Sequence, residues 1–116
     1  MILLNDAANG TTGASKPIGQ AGNKWRGNAQ ITYYLSGTLG SGGTVEIEGS
    51  PDQWYQAAQG PGSVAQGVTD ANSRWFTVQT MTALGFVTDT NVYRKVRAVV
   101  SAGDGTTSLT LEAVGA

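Results

Sequence analysis

Between residues 92 and 114 the chain alternates apolar and polar positions in two runs. Val96, Ala98 and Val100 fall on one side of the first run, and Lys95, Arg97 and Val99 on the other. In the second run Leu109, Leu111 and Ala113 alternate with Ser108, Thr110 and Glu112. Successive strand side chains point to opposite faces, so a period of two separates a core side from a wet side. Gly103-Asp104-Gly105 lies between the runs, and these residue types accept the backbone angles of a tight reversal. The pattern predicts a C-terminal hairpin. A second pair repeats it. Ile31, Tyr33 and Leu35 alternate with Gln30, Thr32, Tyr34 and Ser36; Gly37 to Gly43 turns the chain; Val45 and Ile47 then alternate with Glu46 and Glu48. This predicts another hairpin over residues 29–49. The two segments can be laid over one another, Ser36 on Ser101 and Thr44 on Ser108. Either they are simply two amphipathic hairpins, or the domain is built from two equivalent β units facing each other.

The remaining chain has the same character. Phe76 and Val78 against Trp75 and Thr77 predict a strand over 74–81, and a short one follows over 84–87. Lys24-Trp25-Arg26 starts or precedes a strand. Ser50-Pro51-Asp52-Gln53 is a turn, since Pro presets one φ and Ser and Asp suit the turn's first corner. Trp54-Tyr55 is expected to pack back on the sheet. Residues 56–71, with Gly60-Pro61-Gly62 inside, read as a long loop with one short strand; long loops are either mobile or carry binding. No segment shows a sustained 3.6-residue apolar rhythm. The fold class is therefore all-β: a single small antiparallel β-sandwich or jelly-roll-like barrel of six to eight strands.

The N-terminal segment looks different. Ile2-Leu3-Leu4 is followed by a polar Gly/Ala/Thr/Asn/Ser stretch to Pro17, too poor in apolar residues to fold alone. The expected organisation is an extended N-terminal arm over 1–23 and a β-sandwich domain over 24–116. No basic residue precedes Ile2-Leu3-Leu4 and Asn5-Asp6 ends it, so it does not read as a secretory signal.

Composition narrows the chemistry. At 116 residues the chain suits one domain. A net charge of −1 argues against a sequence-independent nucleic-acid binder. With no cysteine there is neither a disulfide nor a thiolate metal site, and with no histidine the commonest metal ligand and general base are missing. No run approaches the roughly 20 apolar residues of a membrane-spanning helix. Glu46 and Glu48 share a strand face, which suits paired-carboxylate chemistry but also an ordinary wet face. A serine nucleophile would need a buried lysine as its base, and Lys16, Lys24 and Lys95 all sit in polar contexts. Asp104 stands alone among potential Ca²⁺ ligands, and Gly37 to Gly43 lacks the lysine of a phosphate loop. No catalytic residue, metal or cofactor is expected.

Contact residues are better represented. Tyr33-Tyr34, Trp54-Tyr55 and Trp75-Phe76 are adjacent aromatic pairs, so one member of each should point away from the core; Tyr34, Trp54 and Trp75 are the candidates. Lys95 and Arg97 share the outward face of their strand, where they either pair with acids such as Glu46, Glu48 or Glu112 or meet an acidic partner. Ile2, Leu3 and Leu4 complete the candidate interface.

Gly43-Thr44-Val45-Glu46-Ile47-Glu48-Gly49-Ser50-Pro51-Asp52 followed by Trp54 forms one motif. Tyr93 to Ser101 with Thr107 to Glu112 forms another. Together they resemble small β-sandwich proteins of tailed-bacteriophage virions: capsid decoration, head-fibre and neck or tail accessory proteins. The likeness covers about residues 29–58 and 92–114, and its motifs are strand-and-turn patterns. It implies a non-enzymatic virion protein, most of all a capsid decoration protein binding the shell through its arm and a sandwich face. The implied partners are the major capsid protein or another virion protein and further copies of itself, trimers being favoured, with no nucleic acid and no membrane. The alternative is a carbohydrate-binding or adhesin module of a tail or head fibre, with Trp54, Trp75 or Tyr34 as the platform.

Overall fold

An alternating segment can bury one side only by joining a sheet, and every alternating run identified in the sequence does so. The structure, a computed structural model, describes residues 1–18, 30–90 and 93–115. Its strands are β1 (Ile2–Ala7), β2 (Lys16–Pro17), β3 (Ile31–Thr38), β4 (Thr44–Ser50), β5 (Phe76–Met81), β6 (Gly85–Asp89), β7 (Lys95–Ser101) and β8 (Ser108–Gly115), with one 3₁₀ turn at Asp70–Asn72. They form two antiparallel four-stranded sheets, a front sheet ordered β1-β8-β3-β6 and a back sheet ordered β2-β7-β4-β5. That order is a jelly roll. The chain pairs as one long hairpin, β1 with β8, β2 with β7, β3 with β6 and β4 with β5. It is then wrapped so that β3 also meets β8 and β4 meets β7.

The two predicted hairpins do not form. β3 and β4 lie in different sheets, as do β7 and β8. Residues 39–43 and 102–107 instead carry the chain across the roughly 10 Å between sheets. Alternation names the buried side of a strand but not its neighbour, so a hairpin and a crossing arch share one sequence pattern. The two arches do face each other: β3 of one runs beside β8 of the other from Ile31↔Gly115 to Thr38↔Ser108, and β4 beside β7 from Thr44↔Ser101 to Ser50↔Lys95. Exchanging β1–β4 with β5–β8 turns the order of one sheet into that of the other, an internal pseudo-two-fold.

The inner faces supply the core. Tyr33, Val45, Ile47, Val96, Ala98, Val100, Leu109, Leu111 and Ala113 have no exposed surface. The segment expected as an arm belongs to this core. Ile2 pairs with Glu112, Leu4 with Leu111 and Ala7 with Leu109, and Leu3 and Leu4 are 4 % and 3 % exposed. Burying each leucine contributes about 2 kcal/mol, enough to hold a short strand on the otherwise open edge of β8. Gly13 then passes so close to β1 that a Cβ there would sit 2.5 Å from the Leu3 carbonyl oxygen, and residues 10–18 continue along β7. Residues 1–18 are thus part of the sandwich. The 23/24 boundary and the expected strand start at Lys24-Trp25-Arg26 lie outside the described residues.

The arch tips are joined by one carboxylate. Asp104 accepts from the Ser41 amide at 2.8 Å and from the Thr106 amide and hydroxyl at 2.8 and 2.6 Å. Thr107 accepts from the Asp104 amide and donates to the Leu39 carbonyl at 2.9 Å. The Thr106 hydroxyl, followed by the Ser41 and Thr106 amides, holds the Asp104 carboxyl below its ordinary pKa. A depressed carboxyl contributes stability above its unfolded pKa that is lost as pH falls. Asp104→Ala should therefore lower the thermal midpoint at pH 7, and the gap from the parent should close on acidification; melts followed by circular dichroism at pH 7 and pH 3 check this.

Candidate functional site

The two outer faces of the sandwich have different fates. On the back sheet, Lys95 and Arg97 of β7 and Glu46 and Glu48 of β4 point outward, because Val96, Ala98, Val45 and Ile47 point in. Residues 51–75 then fold over this face as a roof. At its base Asp52 clasps Arg74, 2.7 Å from its guanidinium and 2.7 Å from its amide. These bonds from Arg74 hold the Asp52 carboxyl down at about 2, from the usual 3.8. Gln56 and Gln66 exchange backbone hydrogen bonds, and Gly67, at φ +89°, packs against the Trp54 carbonyl too closely to allow a side chain.

Lys95 is where the sequence reading fails most clearly. Expected on the surface, it has no exposed area. Its ammonium donates to the Val68 carbonyl at 2.9 Å and to the Ser73 hydroxyl, and lies 3.7 Å from Asp70 and 5.3 Å from the centre of the Trp75 ring. Arg97 stacks 4.0 Å from that ring centre, and its Nε donates to Glu48 at 2.7 Å. The Arg97–Glu48 pair is the acid–base pairing that the cluster implied; Glu112 belongs to the other sheet. Trp75 donates its indole N–H to the Asp70 carbonyl, and Trp54 donates to the Ser15 carbonyl at 3.3 Å. Ser15 in turn donates to Asp70 at 2.7 Å. The fold thus gathers Lys95, Arg97, Trp75 and Trp54 around the seam between roof and sheet, with Asp70 and Ser73 as partners. Nothing local in the sequence marks those two, since they meet Lys95 only through the fold.

This seam contains a lysine hydrogen-bonded to a serine, the pairing a Ser/Lys nucleophile uses. The Ser73 hydroxyl, however, donates to the Thr69 carbonyl at 2.8 Å, and the lysine acts as donor to everything around it. The arrangement anchors a loop. Trp75 presents a face to Arg97, so that face is not available for stacking on a sugar. Among the described residues no group of three potential metal ligands occurs.

Among the described residues, none folds over the front sheet. Across it the register aligns Ile2 of β1, Glu112 of β8, Tyr34 of β3 and Phe86 of β6 in one row. Ile2 is 44 % exposed, Tyr34 47 % and Phe86 70 %. Tyr34 and Phe86 rings lie 6.1 Å apart, tilted by 41°. The next row holds exposed Val114 with Thr32 and Thr88, whose hydroxyls are 3.1 Å apart. Of the candidate residues, Ile2 and Tyr34 meet here, while Leu3 and Leu4 face the core. Phe86 and Val114 were missed; Phe86 was readable in part, as the residue alternating with Val87 on a short strand. No family model matches the chain, and neither does any curated protein or solved structure.

Removing the Lys95 ammonium leaves the Val68 carbonyl without its donor and Asp70 without its counter-ion, with only the Ser15 hydroxyl still on it. Lys95→Ala should cost roughly 2–4 kcal/mol in denaturant unfolding and open residues 68–74 to limited proteolysis. An unchanged midpoint and cleavage pattern would mean that the lysine does not hold the loop.

Proposed function

We propose that this protein is a non-enzymatic structural protein of a bacteriophage virion, of the capsid decoration type, working through protein–protein contact. The observation that carries the reading is the front face: Ile2, Tyr34, Phe86 and Val114 are exposed together there, while residues 68–75 cover the Lys95–Arg97 part of the opposite face. Contiguous apolar patches on soluble domains mark interaction sites. The residues that could have done chemistry support it too, since Glu48 is bound to Arg97 and Ser73 and Lys95 hold the roof. Jelly rolls serve capsid, lectin and cupin domains alike, so the fold does not choose among them. The resemblance of the Gly43–Asp52 and Tyr93–Glu112 segments to phage accessory proteins supplies the partner class, the major capsid protein or another virion protein, and the location on the virion. The carbohydrate alternative keeps one of its three platform candidates, the exposed Tyr34, because Trp75 is stacked on Arg97 and Trp54 spends its N–H on Ser15.

Co-sedimentation with undecorated shells of the phage that carries the gene tests this. Saturable binding at a fixed ratio to the coat subunit is the expected outcome, and the chain should appear in the mass spectrum of purified virions. Absence from virions together with no binding to shells overturns the reading.

A further inference from the structure

The bare front face has a self-complementary layout. Its central row reads Ile2, Glu112, Tyr34, Phe86 from one edge strand to the other. Among the described residues no lysine or arginine lies on β1, β8, β3 or β6; Lys16, Arg74, Arg94, Lys95 and Arg97 all belong to the back sheet or its connections. A partner that buries this face must therefore answer Glu112 with a donor of its own, or leave a carboxylate desolvated and unpaired.

A second copy does so. Consider two front sheets packed face to face about a two-fold axis parallel to the strands, between β8 and β3. Each row is then laid over its reverse. Ile2 meets Phe86 of the other copy at both ends, apolar on apolar. Glu112 meets the Tyr34 hydroxyl, acceptor on donor, twice in the centre. In the next row Val114 meets the methyl-bearing Thr32. The two-fold that instead sets each strand over itself would bring Glu112 against Glu112, which like-charge repulsion disfavours. We propose that the protein forms an isologous dimer through its front sheet, with Ile2–Phe86 and Glu112–Tyr34 contacts between copies. The proposal deepens the structural-protein reading by naming the first partner as the chain itself.

The size of the face sets the strength. Four strands ~4.8 Å apart and about seven residues long present roughly 19 by 23 Å. This is near half the ~800 Å² per partner of a standard interface. Association is accordingly weak and reversible in solution, and multivalent attachment to a shell would reinforce it.

The absence of cysteine makes the geometry directly testable. In the double variant Ile2→Cys, Phe86→Cys the two thiols sit at opposite edges of one sheet. They are about 14 Å apart across three strand spacings, too far to bridge within a copy. A bis-maleimide spanning ~10 Å, the distance between packed sheets, should give a covalent dimer on a denaturing gel, while Ile2→Cys and Phe86→Cys alone should stay monomeric. Sedimentation equilibrium of the parent should show a concentration-dependent dimer, weakened at least about tenfold by Phe86→Glu. A parent that stays monomeric at the highest attainable concentration overturns the proposal. So does a Phe86→Cys single variant that cross-links as readily as the double. A monomer that still saturates shells refutes the dimer and leaves the decoration reading standing; a dimer that ignores shells does the reverse.

Discussion

The pairing of the two arches, β3 with β8 and β4 with β7, is the constraint on which the rest of this molecule depends. Each arch presents one apolar side, and neither can bury it alone. Set against each other, they close a core in which Tyr33, Ile47, Val96 and Leu111 lose all contact with water. The outer strands β1, β2, β5 and β6 then add to edges that already exist. Asp104 and Thr107 fasten the arch tips with hydrogen bonds between the two turns, so that the crossing segments hold their spacing.

A fold with an internal two-fold would have equivalent outer faces if nothing else intervened. Here residues 51–75, between β4 and β5, lie against part of the back face, and among the described residues no segment lies over the front one. The roof brings Asp52, Asp70, Arg74, Trp54 and Trp75 to the Lys95, Arg97 and Glu48 side chains of the sheet or its border. Its closure takes Lys95 out of water, and such a burial is tolerable only because the Val68 carbonyl, Ser73, Asp70 and the Trp75 ring replace the lost hydration. Among the described residues the buried Tyr33 hydroxyl has no hydrogen-bond partner, and burial beside Asp89 pushes its ionisation well up, which keeps it neutral.

The functional consequence is a division of labour. Glu48 is paired with Arg97, and Ser73 and Lys95 hold the roof. The surface left for other molecules is an apolar row with one acceptor and one hydroxyl, which suits recognition by shape and burial. That surface lies on the sheet opposite the one that carries Lys95 and Arg97.

Much of this was legible in the residues. Period-two alternation around Val96–Val100, Leu109–Ala113, Ile31–Leu35 and Val45–Ile47 determined that these are strands, and which side of each is buried, because that depends only on local geometry and polarity. The likeness of the two segments suited either two ordinary amphipathic hairpins or two facing units, and the pairing of β3 with β8 and β4 with β7 decided for the second. Neighbours were not legible. An arch and a hairpin have the same alternation, and only the competing burial of both apolar sides decides between them. Lys95 alternates with the core as a surface residue should, yet residues far along the chain cover it. Leu3 and Leu4 lie in a stretch too polar to fold alone, and the open edge of β8 gave them somewhere to go. Local sequence determined which side of each strand seeks water; the tertiary structure decided which of those sides reach it, because exposure depends on what the rest of the chain folds over them.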